Sequence, residues 1–182
     1  IGDYAFYYCK SLTAITIPES VTSVGERAFY YCSNLKSVNI PSGVTSIEEW
    51  TFTGCSSLTE IAIPEGVREI GFNAFAGCSN LIDVDFPEEF EWTGSEVYFR
   101  DCKFLTEIII PDSITYIGSI AFQNCTSLVS ITIPNSVTEI RIDAFNGCTS
   151  LESIYIDKEK DSLSLSSASI PDTTNVYWRG EF

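Results

Sequence analysis

Seven cysteines are the residues of this 182-residue chain best suited to nucleophilic or metal chemistry, and they recur every 23 or 24 residues. They are Cys9, Cys32, Cys55, Cys78, Cys102, Cys125 and Cys148. None forms a Cys-x-x-Cys pair, so the ligand pattern of a structural zinc site is absent. The chain has no histidine, which removes the usual base of a cysteine nucleophile. We therefore expect reduced thiols packed in an interior column, where parallel side chains make poor disulfide geometry.

A second set of candidates is acidic. Glu60, Asp83 and Glu107 stand at equivalent positions of consecutive repeats, and Asp85 lies two residues beyond Asp83. Neighbouring like charges destabilise a sheet unless water or a partner relieves them, so these residues predict either a solvated acidic surface or a site for a cation or basic ligand. Paired carboxylates also hydrolyse glycosides. We expect no catalysis here, because an open strand face does not exclude water or separate the two pKa values.

Tyrosines form the third set. Four of them follow the repeated phenylalanine of the first two repeats: Tyr7, Tyr8, Tyr30 and Tyr31. Tyrosine provides a large contact area at low entropic cost, so the four predict an aromatic recognition strip on an edge or the convex side. The alternative is that they pack against an upstream coil or domain. The sequence leaves both interpretations open.

One repeat of about 23 residues positions all three sets. Each unit reads I-G-x-x-A-F-x-x-C-x-x-L-x-x-I-x-I-P-x-x-V-T-x. The alternating stretch L-x-x-I-x-I predicts a strand that proline ends, and V-T-x-I predicts a second short strand. The spacing of A-F-x-x-C predicts a short helical or 3₁₀ turn. A single unit cannot bury its own apolar side chains, so we expect the units to stack as a solenoid.

The interior of that solenoid is expected to contain the cysteine column and two further columns. The phenylalanine column comprises Phe6, Phe29, Phe52, Phe75, Phe99, Phe122 and Phe145. The leucine column comprises Leu12, Leu35, Leu58, Leu81, Leu105, Leu128 and Leu151. These positions are occupied with packing, so any function must use the variable, outward positions.

Composition excludes several classes of protein. With 45% hydrophobic residues the chain is too apolar to be disordered. Only 10 Lys and Arg stand against 25 Asp and Glu, giving a net charge of −15, which argues against binding nucleic acid or an anionic membrane surface. No apolar run approaches the roughly 18 residues of a membrane span, so we expect no membrane insertion of this segment.

The repeat resembles the BspA-like, or Treponema-type, subclass of bacterial leucine-rich repeats over residues 1–156, as seven copies. The strand-closing proline distinguishes this subclass from the general L-x-x-L-x-L-x-x-N-x-L pattern. The resemblance implies an α/β repeat solenoid, a right-handed superhelix with a parallel concave β-sheet, short second strands and short helical or 3₁₀ turns. It also implies a cell-surface or secreted protein, because better-known members are adhesins toward host extracellular proteins.

These features predict a non-catalytic scaffold, without cofactor or metal, that binds a protein or glycan ligand at a cell surface. The alternative is a structural stalk or spacer within a larger multidomain surface protein. The oligomeric state stays open.

Two segments depart from the repeat. Residues 87–99 contain one extra residue, with Trp92 in the slot of a missing isoleucine, and we expect simple repacking there. Residues 157–182 are expected to form a C-terminal cap with a last strand near 174–178. Because Ile1 opens in register with the repeat, we expect further coils upstream in the native chain.

Overall fold

The computed structural model describes residues 1–87, 99–160 and 162–181. The predicted irregular unit, with Trp92, falls mostly on 88–98 and lies outside the described residues. Within the described part, the regular structure consists of short strands, and no helix is long and apolar enough to span a membrane. The strands are β1 (Ala14–Ile15), β2 (Ser37–Val38), β3 (Ser46–Ile47), β4 (Glu60–Ala62), β5 (Glu69–Ile70), β6 (Asp83–Asp85), β7 (Tyr116–Ile117), β8 (Ser130–Ile133), β9 (Glu139–Ile140), β10 (Ser153–Ile156) and β11 (Asn175–Trp178).

Every strand pair is parallel and joins neighbouring coils. β1 pairs with β2, β4 with β6, and β8, β10 and β11 form a three-stranded sheet. An isolated bridge between Ile109 and Thr132 continues this first set of strands. We call its outward surface the strand face. The second strands pair β3 with β5 and β7 with β9. The prediction of a solenoid with parallel strands and short second strands is therefore confirmed.

The expected helical turn is the part of the fold that the structure contradicts. Between the glycine and the cysteine of the second coil, Ala28 and Tyr30 donate amide hydrogen bonds within the coil. Arg27, Phe29 and Tyr31 instead donate to carbonyls of the next coil at 2.7–3.1 Å. Arg27 and Tyr31 have positive φ values of 52° and 54°, a left-handed geometry that interrupts a right-handed helix. The segment is thus a series of turns that forms a ladder between coils.

Several coils have glycine at the position equivalent to Tyr31. Gly54 and Gly77 are two of these glycines, and both have a φ of 71°. At Gly54 a second constraint applies, because the ring of Tyr31 in the preceding coil lies directly over it. A Cβ atom added to Gly54 would lie 2.9 Å from that ring, whereas one added to Gly77 would find its nearest neighbour at 3.7 Å. Glycine at position 54 therefore leaves room for Tyr31.

The phenylalanine, cysteine and leucine columns form the interior. From the second coil onward every member is buried, and consecutive phenylalanine rings stack at 5.0–6.0 Å with interplanar angles of 2–9°. The first coil departs from the expectation of full burial. Cys9 is exposed and Phe6 and Leu12 are half-buried, because this coil packs against a neighbour on one side only.

The buried thiols are hydrogen-bonded as well as packed. Cys78 Sγ donates to the Phe52 carbonyl of the preceding coil at 3.1 Å, and the other five buried cysteines repeat this contact at 3.0–3.3 Å. Burial raises the pKa of Cys32 to about 11 and that of Cys78 to about 12. A thiol with such a pKa is a poor nucleophile at neutral pH, so these cysteines are structural.

Residues after the seventh coil continue its ladder and cover it. The Phe145 amide donates to the Ala168 carbonyl at 2.9 Å, and β11 pairs with β10 along its full length. Trp178, at the end of β11, is buried against the core. The last coil therefore has partners for both its backbone and its apolar surface.

The phenylalanine column makes a first prediction. Phe75 is fully buried between Phe52 and Phe99, with ring centroids 5.7 and 5.8 Å away. Phe75→Ala should lower the free energy of unfolding by about 3–5 kcal/mol, because it leaves a cavity in the column. Chemical denaturation followed by circular dichroism measures this loss. Phe6→Ala, at the half-buried equivalent position, is the matched control and should cost clearly less; equal losses would contradict a continuous interior column.

A second prediction concerns the contact between Tyr31 and Gly54. Gly77→Ala should destabilise by about 1–2 kcal/mol, the cost of a left-handed conformation for a residue with a Cβ atom. Gly54→Ala should cost more, because the new methyl group also meets the ring. In a Tyr31→Ala background the two glycine substitutions should cost the same. Denaturation of the variants tests this, and a persistent difference without the ring would refute the contact.

A third prediction follows from the buried thiols. An unfolded cysteine ionises near its ordinary pKa of 9.0, whereas burial holds Cys78 protonated to about 12. The stability contributed by this raised pKa is complete below pH 9 and is lost as the pH rises toward 12. Above pH 9, the stability advantage of the wild type over Cys78→Ala should shrink by about 1.4 kcal/mol per pH unit. Urea denaturation at pH 8 and pH 10 measures the advantage, and a constant value would contradict the prediction.

Candidate ligand-binding surfaces

The four predicted acidic residues lie on the strand face. Strand alternation turns Ile61 and Val84 into the core and their neighbours outward. Glu60 and Asp83 are direct register partners in the pairing of β4 with β6, and both are exposed. Like charges in this geometry repel each other.

Two open depressions adjoin along this face. The first, of about 590 Å³, is lined by Glu60, Asp83 and Asp85 among others. The second, of about 670 Å³, is lined by Asp83, Asp85, Glu107 and Ile109 among others. All four predicted acidic residues therefore border one continuous surface. We call these four residues the acidic tract.

The acidic tract has no positive counterpart within the described residues. None of its four carboxylates takes part in the ion pairs of that part of the chain, which use other acidic groups. Nor do three or more His, Cys, Asp or Glu side chains of the described residues come together to hold a metal ion. All four carboxylates are thus exposed and outside the ion pairs of the described residues.

Beside the acidic tract the strand face carries an exposed aliphatic side chain. Ile109 occupies the outward position equivalent to Asp85 and is 82% exposed. Its row continues through Thr132 to Tyr155 and Tyr177, whose rings stack at 5.3 Å. The candidate residues chosen from the sequence did not include this row. The sequence does contain a feature that indicates this row. Residues 108–110 are three isoleucines, so the outward position 109 is aliphatic where most repeats have a polar residue.

The four predicted tyrosines are brought together on the turn segments of the first two coils. Tyr7 stacks on Tyr30 and Tyr8 on Tyr31, each with ring centroids 5.2 Å apart. The two stacked pairs are inclined to each other by 55–61°. Tyr30 is half-buried and the other three are exposed. We call these four residues the tyrosine cluster.

Two cations lie against aromatic rings at the borders of the tyrosine cluster. The Arg27 guanidinium lies 5.6 Å from the Tyr4 ring and 5.4 Å from the Trp50 ring, and it donates a hydrogen bond to the Tyr4 hydroxyl at 2.8 Å. Lys10 Nζ lies 5.4 Å from the centre of the Tyr8 ring. These contacts fix the rings in place.

The tyrosine cluster is well ordered by its own contacts, and burial is the main cause that raises the pKa of Tyr30. Each stacked pair covers one face of both of its rings, while Tyr7, Tyr8 and Tyr31 remain exposed. The cluster thus joins the first two coils and also offers polar aromatic contact area. It shares no residue with either depression on the strand face.

Comparison with known proteins adds the family. The chain matches the sequence profile described as BspA type leucine rich repeat region, in six copies, over residues 1–98 and 93–175. No curated protein matched the chain.

Solved structures share the architecture. A leucine-rich repeat protein from T. pallidum is 32% identical, with a TM-score of 0.77 over 83% of this chain and 70% of its own. A leucine-rich repeat protein from Eubacterium ventriosum is 30% identical, with a TM-score of 0.73 over 91% of this chain and 44% of its own. The pneumococcal vaccine antigen PcpA, at 23% identity and a TM-score of 0.66 over 92% of this chain and 51% of its own, shows the same fold. In each case the aligned region is a smaller share of the solved protein than of this chain, and for the last two it is about half of the solved protein or less.

The profile matches cover most of the chain, and the parallel solenoid carries the same repeat in three dimensions. This chain therefore belongs to the BspA-type leucine-rich repeat family.

Proposed function

We propose that this chain is a non-catalytic scaffold at a bacterial cell surface that recognises host or matrix proteins through its strand face. The acidic tract is the observation that carries the proposal. Its four carboxylates border two adjoining depressions and have no ion-pair partner among the described residues. Charged groups that the fold does not pair are available to a partner, and complementary charge speeds and directs association.

The absence of catalysis in this proposal rests on the chemistry of the side chains. The chain contains no histidine, and six of its seven thiols are buried with hydrogen bonds to carbonyls. The acidic tract borders open depressions, which do not exclude water from a reacting group as an enclosed active site does.

The surface location rests on the family resemblance. PcpA is described as a vaccine antigen, but at 23% identity it supports the fold rather than the location of this chain. Antibody labelling of intact cells that make the full-length protein tests the location. Labelling only after the cells are permeabilised would contradict it.

A binding panel tests the function. The chain is immobilised and exposed to purified matrix glycoproteins, mucin and a set of glycans. We expect at least one protein to bind. Substitution of the four acidic-tract carboxylates by their amides should weaken that binding about fourfold or more, since each lost charge contact contributes about 0.2–1 kcal/mol.

The matched control changes the same amount of charge elsewhere. Its four substitutions are Glu48→Gln, Glu49→Gln, Glu65→Gln and Glu69→Gln, all at exposed positions outside the acidic tract. This control should bind as the wild type does. Failure of every protein and glycan in the panel would contradict the proposal and favour the stalk.

A further inference from the structure

We infer that the strand face docks an extended, basic segment of a partner polypeptide, with an aliphatic side chain of that segment on Ile109 and its cationic groups on Asp83, Asp85 and Glu107. This inference deepens the proposed binding function and rests on it. It names the chemistry of the partner and the coils that hold it.

The apolar half of the docking site is Ile109. Its side chain is 82% exposed and borders the second depression. Across the coils, Ile109 lies between Asp85 and Thr132, and Ile109 forms the isolated bridge with Thr132. Removing such a side chain from water is favourable in proportion to the area covered. An aliphatic group seated in the depression is the occupant that gains most from this position.

The charged half is the acidic tract. Glu60 and Asp83 face each other across paired strands, and an approaching counter-charge would relieve their repulsion further than water does. The whole chain carries a net charge of −15, which attracts a basic polypeptide and repels nucleic acid and anionic glycans. Charge complementarity therefore selects a cationic polypeptide over those polymers.

The dimensions favour an extended segment that crosses the strands. Neighbouring coils are about 4.8 Å apart at their strands, and an extended chain advances about 6.6 Å over two residues. In a Lys-x-Leu segment the two side chains can therefore lie on neighbouring coils. The flexible lysine side chain makes up the difference of about 2 Å between the two distances. Leucine on Ile109 then leaves one flanking lysine near Asp85 in the preceding coil. Glu107 lies two residues before Ile109 on the same coil and borders the same depression, where a further lysine side chain approaches it.

A synthetic peptide is the direct probe. Calorimetric titration at low salt would measure binding of Lys-Ser-Lys-Ser-Leu-Ser-Lys-Ser-Lys, which has a lysine two residues to either side of the leucine, to the chain. Two control peptides replace the leucine by serine or all four lysines by glutamate. We expect the first peptide to bind several times more tightly than the serine control, and we expect the glutamate peptide not to bind.

Three variants locate the binding. Ile109→Thr copies the residue next to it in the row, Thr132, and suits a strand. It should remove the preference for leucine over serine. Asp83→Asn with Asp85→Asn should weaken binding of both lysine peptides about threefold to tenfold, and Glu65→Gln with Glu69→Gln, the same charge change outside the strand face, should not. Thermal melting confirms that each variant folds.

Two results would overturn the inference. One is an equal loss in the Asp83/Asp85 and Glu65/Glu69 double variants, since the attraction would then be to net charge alone. The other is an Ile109→Thr variant that still prefers leucine.

The same variants separate this inference from the proposed function. A protein of the panel that binds the Ile109→Thr and Asp83/Asp85 variants with undiminished affinity refutes the docking site and leaves the scaffold function standing. Peptide binding as expected, with no ligand in the panel, supports the docking site and refutes the proposed recognition of matrix proteins.

Discussion

The hydrogen bonds between coils impose the constraint on which the whole structure depends. They join residues about 23 positions apart, so each side chain lies beside its counterpart from the next repeat. In the interior this forces Phe75 between Phe52 and Phe99 and places the Cys78 thiol on the Phe52 carbonyl. On the surface the same rule puts Asp83 beside Glu60. One constraint therefore produces both the stacked core and the concentrated charge of the acidic tract.

The sequence was sufficient to predict the columns, since stacking of equal repeats places each repeated residue next to the same residue of the neighbouring coil. It was misleading for the turn that carries Phe29 and Cys32, because their three-residue spacing fits a helical turn as well as the observed turns. The positive φ of Tyr31 could not be predicted, since a bulky ring stands where three other coils have glycine, at Gly54, Gly77 and Gly147. The exposure of Cys9 depends on what lies beyond its coil, which a repeat pattern does not report.

The candidate surfaces were predictable to a similar degree. Alternation placed Glu60, Asp83 and Glu107 outward and in line, and the stacking of the four tyrosines follows from their equivalent positions. The same alternation places Ile109 outward, but it was not predicted as a binding residue, since a single exposed aliphatic side chain is common on protein surfaces. The depressions also depend on the shape of the assembled face, which no single repeat contains.

The coil-to-coil ladder has a consequence for how such a chain can change over time. Each coil meets its neighbours through the same bonds and the same columns, so a gene segment encoding one whole coil can be duplicated or deleted without rebuilding a core. A coil inserted between the tyrosine cluster and the acidic tract would move them apart by one strand spacing, about 4.8 Å. Recombination between repeats could thus alter the distance between two surfaces while leaving the chemistry of each intact.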